Sequence, residues 1–264
     1  MPRIPDSVEV RPGAADSAVI LHVPHSARAI PPQVRSDIPL DDRQLAHELD
    51  HITDAHTAAL AETAAGLSAI RPWQFVNRLS RLVVDPERFP DEREEMRAVG
   101  MGAVYTRTTH RTPLRPENFD PTALLDRYFH PYARAMTAVV ADRLRATGRA
   151  VIIDVHSYPT VRLPYELHGD GSRPPICLGS DDFHTPPALL ARASRNFGDF
   201  GGVGTNSPFA GAYVPLDFYG TEPRLTALMV EIRRDNYMIE PGGPAGPGLA
   251  VLAAALAALV DELH

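Results

Sequence analysis

The stretch Arg149-Ala150-Val151-Ile152-Ile153-Asp154-Val155-His156-Ser157 decides the fold class. Its first seven residues form a short, mostly apolar run rich in β-branched residues, the pattern of a strand buried on both faces. Gly148 stands just before it, and an amphipathic helix is predicted upstream over Pro121–Thr147 with a kink at Pro131. Working outward, Ser17–Val23 reads as a second buried strand, stopped by Pro24 with His25 just beyond. Thr226–Ile232 is a third, closing in Glu231. Pro72–Val84 is strand-like up to Asp85, and Ile176–Leu178 is a short strand ending at Gly179. Helices are expected over Asp41–Ala65, Pro186–Phe197 and Pro247–Leu263. Pro90–Pro121 reads as a long loop, and Gly201–Tyr213 as a Gly-rich segment turning at Asn206–Pro208. This alternation predicts one α/β domain over residues 1–264, with a mainly parallel or mixed central sheet and helices on both faces.

Composition narrows the chemistry. All 26 basic residues are Arg, none is Lys, and 33 acidic residues bring the net charge to −7. Without an amine side chain, Schiff-base, pyridoxal-phosphate and Walker-type phosphate chemistry are excluded. The single Cys177 rules out an internal disulfide and a Cys-rich zinc site. The acidic balance argues against nonspecific nucleic-acid binding. Met1–Val10 lacks the pattern of a secretion signal, and the Ala-rich Gly248–Val260 is too short to span a bilayer. The expectation is a cytoplasmic protein with neither a nucleic acid nor a membrane as partner. What remains in quantity is Arg, carboxylate and 11 His, tools for metal binding, proton transfer and anion recognition.

In open α/β sheets, sites form at the carboxyl ends of strands. Three such ends carry His25, His156 and Glu231, and their coincidence is the most informative feature of the chain. For Asp154, a hydrogen bond to His156 is open but not fixed by the spacing. A competing pattern, His47-Glu48-Leu49-Asp50-His51, matches the H-E-x-x-H zincin motif on a predicted helix. It fits poorly, because Leu45, Leu49, Ile52 and Leu60 define the buried stripe and the two histidines lie away from it. Asp50 and Asp54 lie one turn apart on the predicted helix and share a face at i, i+4. Arg81 and Arg88 bracket Asp85, and Arg forks grip carboxylates bidentately.

Taken in order, several segments resemble the N-formylglutamate amidohydrolase family. They are Val23-Pro24-His25-Ser26, the Asp50 to Asp54 helix, Arg81 through Asp85 to Arg88, and His130-Pro131-Tyr132. Then come Asp154-Val155-His156-Ser157, Cys177-Leu178-Gly179, Asn206 to Tyr213, and Glu231-Ile232-Arg233-Arg234 with Tyr237-Met238. The resemblance implies a zinc carboxypeptidase-like fold with one Zn2+, or another divalent metal, at the strand ends. It implies His25, His156 and Asp50 as ligands, with Asp54 the alternate, and Glu231 as general base. Arg81 would serve the reacting centre. Arg88, Asn206 and Arg234 would bind the substrate, an N-acyl amino acid such as N-formyl-L-glutamate. The chain departs from the family pattern at Ala27 and at Asp85-Pro86-Glu87-Arg88, where an amide side chain is replaced by Glu87. A carboxypeptidase-like peptidase, another N-acyl amino-acid deacylase and a non-catalytic binder of acidic metabolites are the competing readings.

Overall fold

The computed structural model describes residues 5–168 and 171–264; the first four residues of the Met1–Val10 stretch lie outside the described residues. Seven strands form one mixed sheet: β1 (Val8–Arg11), β2 (Val19–Val23), β3 (Trp73–Asn77), β4 (Ala150–Tyr158), β5 (Ile176–Gly179), β6 (Val203–Thr205) and β7 (Leu225–Arg233), in the order β1-β3-β2-β4-β7-β5-β6. The central strands β3, β2, β4 and β7 run parallel, while β1 and β5 pair antiparallel with their neighbours β3 and β7.

The apolar strands are buried because both faces are covered. Val19, Leu21, Val151, Ile153, Val155, Leu228 and Val230 pack with the Thr57–Leu67, Pro187–Asn196 and Gly248–Asp261 helices. On the opposite face, Ile20, Ile152, Leu225 and Ala227 pack with the His130–Thr147 helix. Alternation then fixes the polar side chains: residues two apart share a face. Asp154 and His156 follow Ile152, and Glu231 follows Ala227 and Met229. All three therefore emerge on the side of the His130–Thr147 helix, at the carboxyl ends.

Four local readings are corrected. The expected Asp41–Ala65 helix is two helices, Asp42–Ile52 and Thr57–Leu67, separated at residues 53–56. Leu82, Val83 and Val84 are buried but lie in a turn after β3 ends at Asn77. The helical run is continuous from residue 122 to residue 147, and its irregularity is a π-helical turn at Leu125–Phe129, placed just before Pro131 rather than at it. The Met1–Val10 stretch, read above only for a secretion signal, leads into the edge strand β1, where Val8-Glu9-Val10-Arg11 alternates apolar and polar side chains beside β3. No helix among the described residues is long and apolar enough to cross a membrane.

Candidate active site

The carboxyl ends of β2 and β4 bring two buried imidazoles together. His25 and His156 are 2% and 3% exposed, with their Nδ1 atoms 3.3 Å apart. Asp54 completes a triangle. Its Oδ2 lies 3.1 Å from His156 Nδ1 and 3.7 Å from His25 Nδ1. A tetrahedral metal with bonds of about 2.0 Å separates its ligands by roughly 3.3 Å, so the three atoms fit one divalent cation. Nitrogen and oxygen donors of this kind suit Zn2+.

A carboxylate lies beyond the far side of each ring, hydrogen-bonded to His25 and within ion-pair distance of His156. His25 Nε2 is 2.9 Å from Asp85 Oδ1, and His156 Nε2 is 3.0 Å from Asp154 Oδ1. Such partners orient an imidazole and raise its basicity toward a metal. The second oxygen of Asp85 accepts from Arg81 and from Tyr105. Although burial opposes it, Arg81 and then His25 hold the Asp85 carboxyl well below the usual range. Burial also resists charging His156, yet Asp154 and Glu87 raise its pKa well above that of a free imidazole. In His22, Nδ1 is 2.8 Å from Asp154 Oδ1, which ties that carboxylate into the sheet.

Asp54 occupies the break between the two helices. Its N–H donates to His25 O at 3.0 Å, joining the break to the end of β2. Arg234 Nη2 donates to Asp54 Oδ1 at 3.2 Å, and Arg234 Nη1 to His51 O at 2.6 Å. Asp50, expected as the carboxylate ligand, is not brought to the histidines. It pairs with Arg28 at 2.7 Å on the surface, because the first helix ends at Ile52 and the i, i+4 relation is lost.

Glu231 is adjacent to His156 in the β4–β7 register. Its side chain is buried and Oε2 has no hydrogen-bond partner among the described residues. Burial lifts this carboxyl to about 7, a value suited to a general base.

The remaining expected site residues are placed differently. Arg81 lines the cavity, but Nε and Nη2 are engaged by Asp85 and Tyr105, so it acts on His25 through Asp85. Arg234 is 3% exposed and is spent on Asp54, His51 and Ser157 rather than presented to a ligand. Asn206 adopts left-handed φ of 55°, tolerated by Asn, and its amide bonds the Ser180 backbone and hydroxyl. Arg88 alone of the expected substrate groups makes no side-chain hydrogen bond among the described residues, although it forms long ion pairs with Asp85 at 3.5 Å and Glu94 at 3.7 Å.

The zincin pattern is set aside by geometry. Glu48 is buried and accepts both from the N–H and from the hydroxyl of Thr109, while His47 is exposed and His51 bonds the His47 carbonyl. Sequence reasoning left Asp154 open as a support of His156 and missed Asp85 and Tyr105 as supports of His25. Two-residue alternation from His156 was the signal for Asp154. Nothing local signalled Tyr105.

His25, Asp54, His156, Glu231 and Arg88 line a cavity of about 580 Å³. The sequence profile of the N-formylglutamate amidohydrolase family matches residues 17–238. A crystal structure of N-formylglutamate amidohydrolase from Ralstonia eutropha superimposes with a TM-score of 0.78 at 20% identity, covering 97% of this chain and 96% of that one. A gene product of Agrobacterium tumefaciens gives 0.68 at 21% identity, covering 97% and 92%. No curated protein sequence gives a significant match.

Proposed function

The chain belongs to the N-formylglutamate amidohydrolase family, and we propose that it hydrolyses the amide bond of an N-formyl or N-acyl amino acid using one divalent cation, Zn2+, held by His25, Asp54 and His156. The observation that carries this reading is the triangle of Nδ1, Nδ1 and Oδ2 atoms at 3.1, 3.3 and 3.7 Å. When bound, the cation supplies Lewis-acid polarisation of the scissile carbonyl and acidifies the attacking water.

The protein does the rest. Glu231 accepts the proton of the water and delivers it to the leaving amine. Asp85 and Asp154 keep the imidazoles in the tautomer that presents Nδ1. Arg234 holds Asp54 in place, and Arg88 receives the α-carboxylate of the substrate. N-formyl-L-glutamate, the compound named by the family, is the reference substrate. A non-catalytic binder fits less well, since it has no use for a buried carboxyl poised near 7 beside the ligand set.

The test is metal analysis combined with formate release from N-formyl-L-glutamate and related N-formyl amino acids. Glu231→Gln should keep its metal and lose about 10³-fold in kcat, whereas His156→Ala should lose the metal. Near-full activity in Glu231→Gln, or in wild-type enzyme stripped of metal, would overturn the mechanism.

A further inference from the structure

Resting on the amide-hydrolase reading, we propose that the preferred substrate is an N-formyl or N-acyl amino acid with an apolar or aromatic side chain, held by a single carboxylate at Arg88. A formylated dicarboxylic amino acid carries two carboxylates and needs two cationic anchors. Four guanidiniums line the cavity among the described residues: Arg81, Arg88, Arg93 and Arg234. Arg81 is taken by Asp85 and Tyr105, and Arg234 by Asp54, His51 and Ser157. Arg93 is held bidentately by Asp91 and lies over the Phe89 ring at 4.7 Å. The rim imidazole of His168 faces Glu95 at 3.2 Å. Of the four guanidiniums, that of Arg88 is the one that makes no hydrogen bond among the described residues; its ion pairs, at 3.5 Å to Asp85 and 3.7 Å to Glu94, are long.

The field points the same way. Carboxylates outnumber guanidiniums two to one among the described lining residues, and Glu94 and Glu87 flank Arg88. Glu87 Oε1 is buried without a hydrogen-bond partner among the described residues, 3.5 Å from His22 Nδ1. One bound divalent cation does not reverse this balance. A second substrate carboxylate would enter an acidic, partly dry space without a partner, which is costly.

The walls favour the opposite kind of side chain. Phe89, Leu167, Phe209, Tyr213, Leu216 and Tyr219 line the same cavity. Phe89 and Tyr219 meet edge to face with centroids 6.2 Å apart. Leu216 and Tyr219 are 45% and 43% exposed, apolar surface that folding leaves open at the mouth. The volume of about 580 Å³ leaves room for a side chain bulkier than that of glutamate.

The experiment compares metal-replete enzyme on the N-formyl derivatives of L-phenylalanine, L-leucine, L-methionine and L-glutamate, with calorimetric binding of free L-phenylalanine and L-glutamate as a readout independent of turnover. The expected kcat/KM for the phenylalanine derivative exceeds that for glutamate by at least about tenfold, and free phenylalanine binds more tightly. Tyr219→Ser should shrink that ratio. Arg88→Met should shrink the gap between N-formyl-phenylalanine and its carboxamide, with the change in KM. A preference for glutamate, equal rates, or an Arg93→Ala variant that selectively loses the glutamate derivative would each overturn the substrate class while leaving the amide-hydrolase reading standing. Absence of hydrolysis of every compound together with absence of product binding would overturn both.

Discussion

Asp54 and Asp50 are the same residue type four positions apart, and their environments separate their roles. Burial works against ionising Asp54, but the imidazoles of His156, within hydrogen-bond distance, and of His25 beside it outweigh this and hold the carboxyl below its ordinary range. Asp50 faces solvent and Arg28, an ion pair worth about 0–1 kcal/mol. Asp54→Asn should therefore weaken Zn2+ binding by about a hundredfold or more, by loss of an anionic ligand. Asp50→Asn should leave it within about twofold. Calorimetric titration of metal-free protein checks both, and equal losses in the two variants would remove Asp54 from the ligand set. The choice between the two aspartates was not legible in the sequence. It depends on where a helix stops, and that is decided by residues far away in the chain.

The break between the Asp42–Ile52 and Thr57–Leu67 helices is the element that builds the site. His56, the last residue of the break and the N-cap of the second helix, takes a left-handed φ of 67°, a strained choice for a residue that is not Gly. Partners from elsewhere hold it: Tyr237 Oη donates to Ala55 O at 2.7 Å, and Ser26 Oγ accepts from Ala58 N at 3.1 Å in place of a local cap. Ser26→Ala should cost about 1 kcal/mol, or roughly 2–4 °C in Tm for a chain of this size. A melting curve unchanged from wild type would show that the second helix starts without this hydroxyl. The same contrast explains what could be read in advance. Strands β2, β4 and β7 announce themselves as apolar runs, so His25, His156 and Glu231 were found. The helix break and the apolar turn at Leu82–Val84 are stabilised by long-range partners, Arg115 donating to Leu82 O among them, and local periodicity does not report them.

For the whole molecule, one consequence of burying so many carboxylates is a folding stability that responds to pH in both directions. Asp85, with its pKa depressed, contributes stability above its unfolded pKa of about 3.9 that is lost as pH falls through its lower folded value. Glu231 behaves oppositely. Its pKa is raised to about 7, so the folded state binds the extra proton and stability declines as pH rises from about 4.3 to 7. In metal-free protein, Glu231→Gln should thus match wild type near pH 4 and exceed it at pH 8 by on the order of 1–3 kcal/mol. Thermal melts across that range check the sign; a variant less stable at pH 8 would mean that the charged carboxylate is well accommodated. A last consequence lies in the end of β7. Glu231, the proton acceptor, and Arg234, the brace on Asp54, are three residues apart on one strand and the turn that follows it. Base and ligand brace are therefore inherited as one short cassette. A backbone shift that improves one displaces the other, so substitutions there are expected to be accepted in compensating pairs rather than singly.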